Sequence, residues 1–241
     1  YYLPLQSRFD PLKETGRTSS TQPGEPLVGE QLQNFPRAAG VTPAERKLER
    51  KGTWFEGIRE CFVPPAGCTF IVVDYPSAEL YSFAQVCKRL FGFSDTGDLL
   101  LEGKDLHVHF AMASLARAYE SYDKKADKYH RDRAKPAQYG FRGGMGPDKF
   151  ILYSRKQYQV NFTRPEAVAT KAQWLATYAD AKEYLSWVGR QLGDRDTFTF
   201  VHPITGFIRG ACWYSSGANQ GFQHLTAYGA KAAAYQVTRA C

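Results

Sequence analysis

The chain has 241 residues, of which 43% are hydrophobic and 15% aromatic, so it can bury a sizeable core and is not an intrinsically disordered protein. Its 31 Lys and Arg residues against 24 Asp and Glu residues give a formal net charge of +7, which favours a polyanionic partner, nucleic acid ahead of an anionic membrane. The five cysteines form no CxxC pair, which argues against a disulfide framework or a zinc site and favours a reduced, cytoplasmic compartment. No apolar run is long enough to span a bilayer, and no signal-peptide pattern opens the chain, so we expect no membrane partner.

Residues 1–40 are polar and rich in Pro, Gly, Ser and Thr, which predicts extended segments and loops. Two stretches in this region, TGRTSS at 15–20 and LQNFPR at 32–37, place an arginine and a Gln-Asn pair among small polar residues. Such groups can donate hydrogen bonds to a nucleic acid backbone or groove. Without further context, such a composition more often belongs to ordinary loops that bind nothing.

Residues 52–80 have a β pattern that ends in a carboxylate. The prolines and glycine of 64–67 predict a turn, and the apolar, β-branched run 69–73 predicts a buried strand. Asp74 follows this run directly, and a carboxylate fixed at the end of a buried strand is a good metal ligand. The alternative is that Asp74 only caps the helix that begins near Pro76.

Helices are predicted next, over 79–101 with an end near Gly92, and from Asp105 through Leu115. His107 and His109 lie two residues apart, so on a helix they face different sides and do not form a metal site. We therefore interpret His107 as a single polar donor.

The segment RDRAKPAQYGFRGG at 131–144 has the most informative spacing in the chain. On a helix Arg131, Lys135 and Tyr139 share one face, and Lys128 and Lys124 extend that face backwards. Charge and a ring face together suit a polyphosphate attached to a flat base or sugar. Spacing alone leaves open the alternative of a solvated, lysine-rich helix. Pro136 predicts either a kink or a new helix beginning near Lys135.

The rest of the chain is predicted as helices over 149–157 and 164–192, a β-hairpin with strands at 197–201 and 207–209, and a last helix over 218–240. The chain begins without a start methionine and stops within a helical pattern that has no C-cap signal. This indicates a piece of a longer polypeptide.

Six collinear matches, one of them made of two segments, resemble the polymerase module of family A DNA polymerases. VVDYPSAEL at 72–80 resembles the first palm motif, RDRAKPAQYGFRGG resembles the fingers motif RxxxKxxx(F/Y)G, and TGRTSS with LQNFPR resembles the entry to the palm. Asp105-Leu106-His107 is similar to the DIH segment, 198–209 to the strand pair before the last helix, and 219–223 to the NxxxQ of that helix. The amino-acid sequences of the fingers motif and of the last helix are most similar to those of phage-type members.

The resemblance implies an α+β fold, a right-hand polymerase palm with a small antiparallel sheet and mostly helical fingers. The corresponding boundaries are palm at 1–104, fingers at 105–195, and a return to the palm at 196–241. The implied activity is template-directed DNA synthesis, the transfer of a nucleotide from a dNTP to a primer 3′-hydroxyl. The implied compartment is the cytoplasm, which is the host cytoplasm if the protein is phage-encoded.

The resemblance also assigns site residues. Asp74, as the catalytic residue, would hold two Mg²⁺ ions, with the Tyr75 carbonyl contributing to one of them. Glu79 would lie against C2′ of the sugar and exclude ribonucleotides. Nucleotide binding is implied for His107, Arg131, Lys135 and Tyr139, with Tyr139 stacking on the incoming nucleotide. Contacts with primer–template DNA are implied for Arg17, Gln33, Asn34, Asn219 and Gln223.

The sequence departs from the family pattern at several positions. The second palm motif, a His-Asp-Glu segment, is absent from these 241 residues, so we expect this chain alone to be inactive or weak, and a second polypeptide carrying that motif is a further expected partner. Gly143 replaces the tyrosine usual at the template side of the fingers helix, and Ser77, Tyr81 and Tyr228 replace a Gln, an Arg and an Asp. The alternatives are a non-catalytic nucleic-acid-binding half of a split polymerase and a single-subunit RNA polymerase, against which Glu79 argues.

Overall fold

The computed structural model describes residues 62–240 and, as backbone only, residues 8–10 and 19–21. The chain divides into two compact units, Tyr1–Pro76 and Ser77–Cys241. Each unit is described by itself below. The predicted boundaries at 104/105 and 195/196 concern a finer division and stay predictions.

The first unit contains a short antiparallel pair of strands, β1 (Arg8–Asp10) and β2 (Ser19–Thr21), with Phe9 opposite Ser20. The predicted turn at 64–67 is confirmed, because the Cys68 N–H donates to the Pro65 carbonyl at 3.0 Å. Gly67 lies in this turn with a φ of +80°, a conformation that favours glycine.

The prediction of a buried strand at 69–73 is wrong. These residues form no strand, and the side chains of Ile71 and Val72 are 86% and 88% exposed. A β-branched apolar run fits a strand, but it becomes one only when a neighbouring strand pairs with it. Asp74 therefore follows an exposed segment without regular secondary structure and not the end of a strand.

The second unit is mostly helical, and its elements follow one another with short connections. The helices are α1 (Ala78–Phe91), α2 (Asp95–Leu101), α3 (Leu106–Ser114), α4 (Lys128–Gly140), α5 (Pro147–Tyr158), α6 (Arg164–Thr177), α7 (Ala179–Leu192) and α8 (Tyr214–Ala240). Between α7 and α8 lies an antiparallel hairpin of β3 (Phe198–Val201) and β4 (Ile208–Cys212). The predicted α+β class with a small antiparallel sheet is confirmed.

Local signals explain where several helices begin and end. α1 ends at Gly92, whose φ of +82° is the left-handed conformation usual after a helix. The Ser94 side chain caps α2, and Thr163 with Glu166 forms a capping box at the start of α6. The predicted stretch 164–192 is two helices, because Tyr178 leaves the helical conformation between α6 and α7.

The core of the second unit is rich in aromatic side chains. Phe83 of α1 packs edge-to-face against Tyr184 at a centroid distance of 5.3 Å and against Phe222 of α8 at 6.0 Å. Phe141, just after α4, packs against Phe150 at 4.2 Å and Trp174 at 5.9 Å. This core joins α1, α4, α5, α6, α7 and α8, and Ala134 and Ala137 of α4 are part of it.

The hairpin is tied to α8 by a buried histidine. His202 has one ring nitrogen, Nε2, 2.7 Å from the Gly221 carbonyl, while Nδ1 accepts from the N–H groups of Ile204 and Thr205. This pattern fixes the neutral tautomer with its proton on Nε2. Burial lowers the pKa of His202, in agreement with a neutral ring.

In the part of the chain that the structure describes, no helix has the length and apolar character needed to cross a bilayer.

Candidate functional site

The predicted cationic face is formed by α4. The helix runs from Lys128 to Gly140 with Pro136 inside it, so the alternative of a new helix near Lys135 is wrong. Arg131, Lys135 and Tyr139 follow at intervals of four and share one face, as predicted. The backward extension of this face is correct for Lys128, which begins the helix, but wrong for Lys124, which lies before the helix starts.

Asp105 connects α3 to this face. One carboxylate oxygen, Oδ1, accepts from the N–H groups of His107 at 2.8 Å and Val108 at 3.3 Å, and so caps α3. The other oxygen, Oδ2, accepts from Arg131 Nε at 3.1 Å and Nη2 at 2.6 Å. Burial raises the pKa of Asp105, but the hydrogen bonds from Arg131 and from the His107 backbone outweigh burial and leave that pKa below its usual value.

Two lysines of α4 share one carboxylate. Asp132 Oδ1 accepts from Lys135 Nζ at 2.6 Å, and Asp132 Oδ2 accepts from Lys128 Nζ at 2.8 Å. Ion pairs that are this exposed contribute about 0–1 kcal/mol each. Lys135 can therefore exchange its carboxylate partner for another anion at little cost.

His107 lies beside the ring of Tyr139, with a centroid distance of 5.5 Å. Burial lowers the pKa of His107 to about 4, and the neighbouring Arg131 and Lys135 act in the same direction, against Asp105. The ring is therefore neutral at pH 7 and can donate an N–H without carrying a charge. His109 faces elsewhere, with its Nδ1 3.2 Å from the Tyr178 hydroxyl, which confirms that the two histidines do not share a site.

Tyr139 presents a partly exposed ring with support behind it. The side chain is 43% exposed, and the Tyr158 ring is stacked on it at a centroid distance of 6.3 Å and an interplanar angle of 11°. A ring held in this way is a platform for another flat group.

A cleft of about 370 Å³ opens between the start of α1 and the start of α3. Its lining includes Lys104, His107 and Arg131, together with Ser77 and Tyr81 at the start of α1. Glu79 lies between Ser77 and Tyr81 in sequence, in the first turn of α1, where a carboxylate is favoured by the helix dipole. The N-cap position of α1 is Ser77, so the alternative role of Asp74 as the cap of this helix is wrong.

Asn219 and Gln223 lie one turn apart on α8, and Asn219 contacts Gly143, which follows α4. Its Nδ2 donates to the Ser215 carbonyl at 2.8 Å and to the Gly143 carbonyl at 3.4 Å, and Gln223 Nε2 donates to Asn219 Oδ1 at 3.4 Å. A Cβ at Gly143 would lie 2.6 Å from Asn219 Oδ1. The Asn219 side chain therefore occupies the space into which a larger residue 143 would project.

The model of one protein family, described as DNA polymerase family A, matches residues 9–204. The chain belongs to this family. Among solved structures, this family A chain is similar to the POL domain of Pol1 from M. smegmatis, a structure described as a complex with DNA primer-template and dNTP. The TM-score is 0.58 at 20% sequence identity, over 94% of this chain and 35% of that chain, so the likeness shows the fold. The chain thus spans about a third of that relative's length. No curated protein sequence matches it.

Of the predicted site residues in the second unit, Arg131, Lys135 and Tyr139 share one face of α4, and His107 lies beside Tyr139. Glu79 lies in the first turn of α1, between Ser77 and Tyr81, which line the same cleft as His107 and Arg131. Arg17, Gln33 and Asn34 lie outside the described residues. Asp74 and Tyr75 belong to the first unit, and both are exposed.

The donor set at Asp74 suits a magnesium ion in its chemistry. A carboxylate and the neighbouring backbone carbonyl of Tyr75 are hard oxygen ligands, the kind that Mg²⁺ prefers. Among the described residues no group of three or more His, Cys, Asp or Glu side chains could hold a metal. Asp74 and Tyr75 alone would leave most of an octahedral shell to water, phosphate oxygens and other ligands.

The sequence analysis did not identify the acidic partners of this site, Asp105 and Asp132. The sequence does contain a signal for Asp132, which lies four residues after Lys128 and three before Lys135. It contains only half of the signal for Asp105, whose position predicts a helix cap but not the contact with Arg131, 26 residues away.

Proposed function

We propose that this chain binds a deoxynucleoside triphosphate and primer–template DNA for template-directed DNA synthesis. The observation that carries the proposal is the single face on which Arg131, Lys135 and Tyr139 stand, with His107 beside Tyr139. Cations suit the triphosphate, a supported ring suits the base or sugar, and a neutral imidazole suits one further hydrogen bond to phosphate. Nucleic acid polymerisation is also the activity expected from membership of family A.

Binding of the triphosphate would replace carboxylates with phosphates on this face. Arg131 would exchange Asp105, and Lys135 would exchange Asp132, for phosphate oxygens. Both pairs are partly exposed, so their exchange costs little, while a triphosphate brings more negative charge than either carboxylate. The carboxylates hold the two cations in place until the nucleotide arrives.

Asp74 would hold two Mg²⁺ ions, and the Tyr75 carbonyl would contribute to one of them. When bound, these ions supply the positive charge that activates the primer 3′-hydroxyl and neutralises the departing pyrophosphate. Asn219 and Gln223, with Arg17, Gln33 and Asn34, would contact primer–template DNA. We also propose a cytoplasmic location, where dNTPs and reduced thiols occur.

Glu79 would select deoxyribose over ribose. Its neighbours Ser77 and Tyr81 line the same cleft as Arg131, so the start of α1 borders the space next to the proposed triphosphate position. In Glu79→Gly, we expect ribonucleotide incorporation to rise relative to dNTP incorporation, because the side chain that would exclude a 2′-hydroxyl is removed. A preference of the wild-type protein for rNTP substrates would favour the alternative hypothesis of a single-subunit RNA polymerase.

Primer extension tests the proposal. A polypeptide that carries this chain together with a His-Asp-Glu palm segment, in one chain or as a second one, is given a labelled primer–template, dNTPs and Mg²⁺. We expect extension that Asp74→Asn abolishes and that the exposed control Asp194→Asn leaves unchanged. Extension that survives Asp74→Asn would falsify the role of Asp74. DNA binding without any primer extension, with the added segment present, would favour the alternative hypothesis of a non-catalytic nucleic-acid-binding protein.

A further inference from the structure

A buried glutamine joins the two helices that carry His107 and Tyr139. Gln138 is fully buried and precedes Tyr139 on α4, and Leu106 precedes His107 at the start of α3. The Gln138 amide Nε2 donates to the Leu106 carbonyl at 2.9 Å. One hydrogen bond therefore connects the residues next to the two rings of the proposed nucleotide site.

The other hydrogen bonds of this amide are also made. Nε2 donates a second hydrogen bond to the Tyr178 hydroxyl at 2.7 Å, and that hydroxyl donates to the Leu106 carbonyl at 3.2 Å. Oε1 accepts from Arg142 Nη2 at 3.2 Å and from Trp174 Nε1 at 3.4 Å. The amide has no hydrogen-bonding position left for another partner.

The chemistry of these partners allows only one orientation of the amide. Arg142 and Trp174 are donors only, and the Leu106 carbonyl is an acceptor only. A flipped amide would place its NH₂ group against two donors and its oxygen against a carbonyl. Arg142 itself is 2% exposed and lies over the Phe83 ring at 4.7 Å, so its side chain is held and cannot turn away.

We infer that Gln138 is a positioning residue for the nucleotide site. It fixes the start of α3 against α4 and thereby sets the His107 ring beside Tyr139, without contacting the nucleotide itself. The inference rests on the proposed function, because it gives a role in binding to a residue that the family motif leaves as a variable position between Lys135 and Tyr139.

Gln138→Glu removes the hydrogen bond to Leu106 and keeps the acceptor for Arg142 and Trp174. At pH 8 the carboxylate beside Arg142 is ionised, so it still accepts from Arg142 and Trp174 but puts its second oxygen against the Leu106 carbonyl. Binding of mant-labelled dATP to the chain is measured by fluorescence, with a dideoxy-terminated primer–template and Mg²⁺. We expect the dissociation constant to rise roughly tenfold, the scale of losing one buried hydrogen bond.

A double-mutant cycle shows whether the effect passes through His107. In a His107→Ala background, Gln138→Glu should change the dissociation constant less than twofold. Tyr178→Phe, which loses the hydroxyl but keeps the ring, should weaken binding in the same direction and is the second variant if Gln138→Glu does not fold. The matched control is Gln220→Leu, since Gln220 is equally buried but is held by Arg209 on the hairpin, with a 3.0 Å hydrogen bond.

The outcomes are distinct. Affinity within twofold of wild type in both Gln138→Glu and Tyr178→Phe overturns the inference, and so does an equal loss with and without His107. The same loss in Gln220→Leu also overturns it, because the effect would then be general destabilisation. A wild-type chain that binds no nucleotide refutes the proposed function and the inference with it, whereas wild-type binding with unaffected Gln138 variants refutes the inference alone.

Discussion

The two carboxylate oxygens of Asp105 make different contacts: one caps α3, and the other forms an ion pair with Arg131. Two substitutions separate these contacts. Asp105→Asn keeps an acceptor at the cap position but removes the charge that faces Arg131. Asp105→Ala removes both. Because Asn is as good an N-cap as Asp, the difference between the two variants measures the cap, and the loss in Asp105→Asn measures the ion pair.

The geometry sets the size of each loss. The cap consists of hydrogen bonds of 2.8 and 3.3 Å, and losing such a cap costs about 1 kcal/mol. The contact with Arg131 is close, at 2.6 Å, but the two side chains are 29% and 35% exposed, which limits the pair to roughly 0.5–1 kcal/mol. We therefore expect Asp105→Asn to lose about 0.5–1 kcal/mol of unfolding free energy and Asp105→Ala about 1.5–2 kcal/mol.

Urea unfolding of the chain at pH 7, followed by far-ultraviolet circular dichroism, gives both values. Asp194→Ala, at an exposed carboxylate, is the control and should change the free energy of unfolding by less than about 0.5 kcal/mol. Since the pKa of Asp105 is lowered on folding, its contribution should be present above the unfolded pKa of about 4 and be lost as the pH falls further. Equal stability of Asp105→Asn and Asp105→Ala would refute the cap, and wild-type stability in both would refute both contacts.

Two further changes test the surroundings of the site. His107→Gln should reduce the loss of stability between pH 6.5 and pH 4, because the unfolded histidine takes up a proton that the partly buried ring, with its pKa of about 4, does not take up. The effect is at most about 3 kcal/mol, and urea unfolding at several pH values would show an unchanged pH dependence of stability if the ring were exposed. Gly143→Ala should cost about 1 kcal/mol, because its Cβ would lie 2.6 Å from Asn219 Oδ1 and displace that side chain, whereas the control Gly229→Ala, with open space at its Cβ, should stabilise α8; equal thermal shifts in both variants would contradict the contact.

Much of the second unit could be predicted from local sequence. The start of α3 at Asp105, the end of α1 at Gly92 and the hairpin before α8 each have a cap or turn residue that acts within a few positions. The shared face of Arg131, Lys135 and Tyr139 needs only the helical repeat. These features are short-range, and they are correct.

The features that the sequence did not predict depend on distant neighbours. The run 69–73 has strand propensity but no strand pairs with it in the described structure, and propensity cannot supply a partner. At Pro136 the sequence left open a kinked helix or a new helix, and local rules do not decide between them; α4 continues through the proline, with Ala134 and Ala137 buried on either side of it. The contacts of Gln138 with Leu106 and of Asn219 with Gly143 span 32 and 76 residues, so no local pattern reveals them.

Equilibrium binding of a dNTP to the face of α4 tests the central claim most directly. With a dideoxy-terminated primer–template and Mg²⁺, we expect wild type to bind mant-labelled dATP, and Arg131→Ala and Lys135→Ala each to weaken binding roughly 10- to 100-fold through the loss of a charged phosphate contact. The charge-matched control is Lys182→Ala, at an exposed lysine of α7, which should bind as wild type does. If all three variants bind the nucleotide as wild type does, or if all three lose the same affinity, the face of α4 is not the nucleotide site.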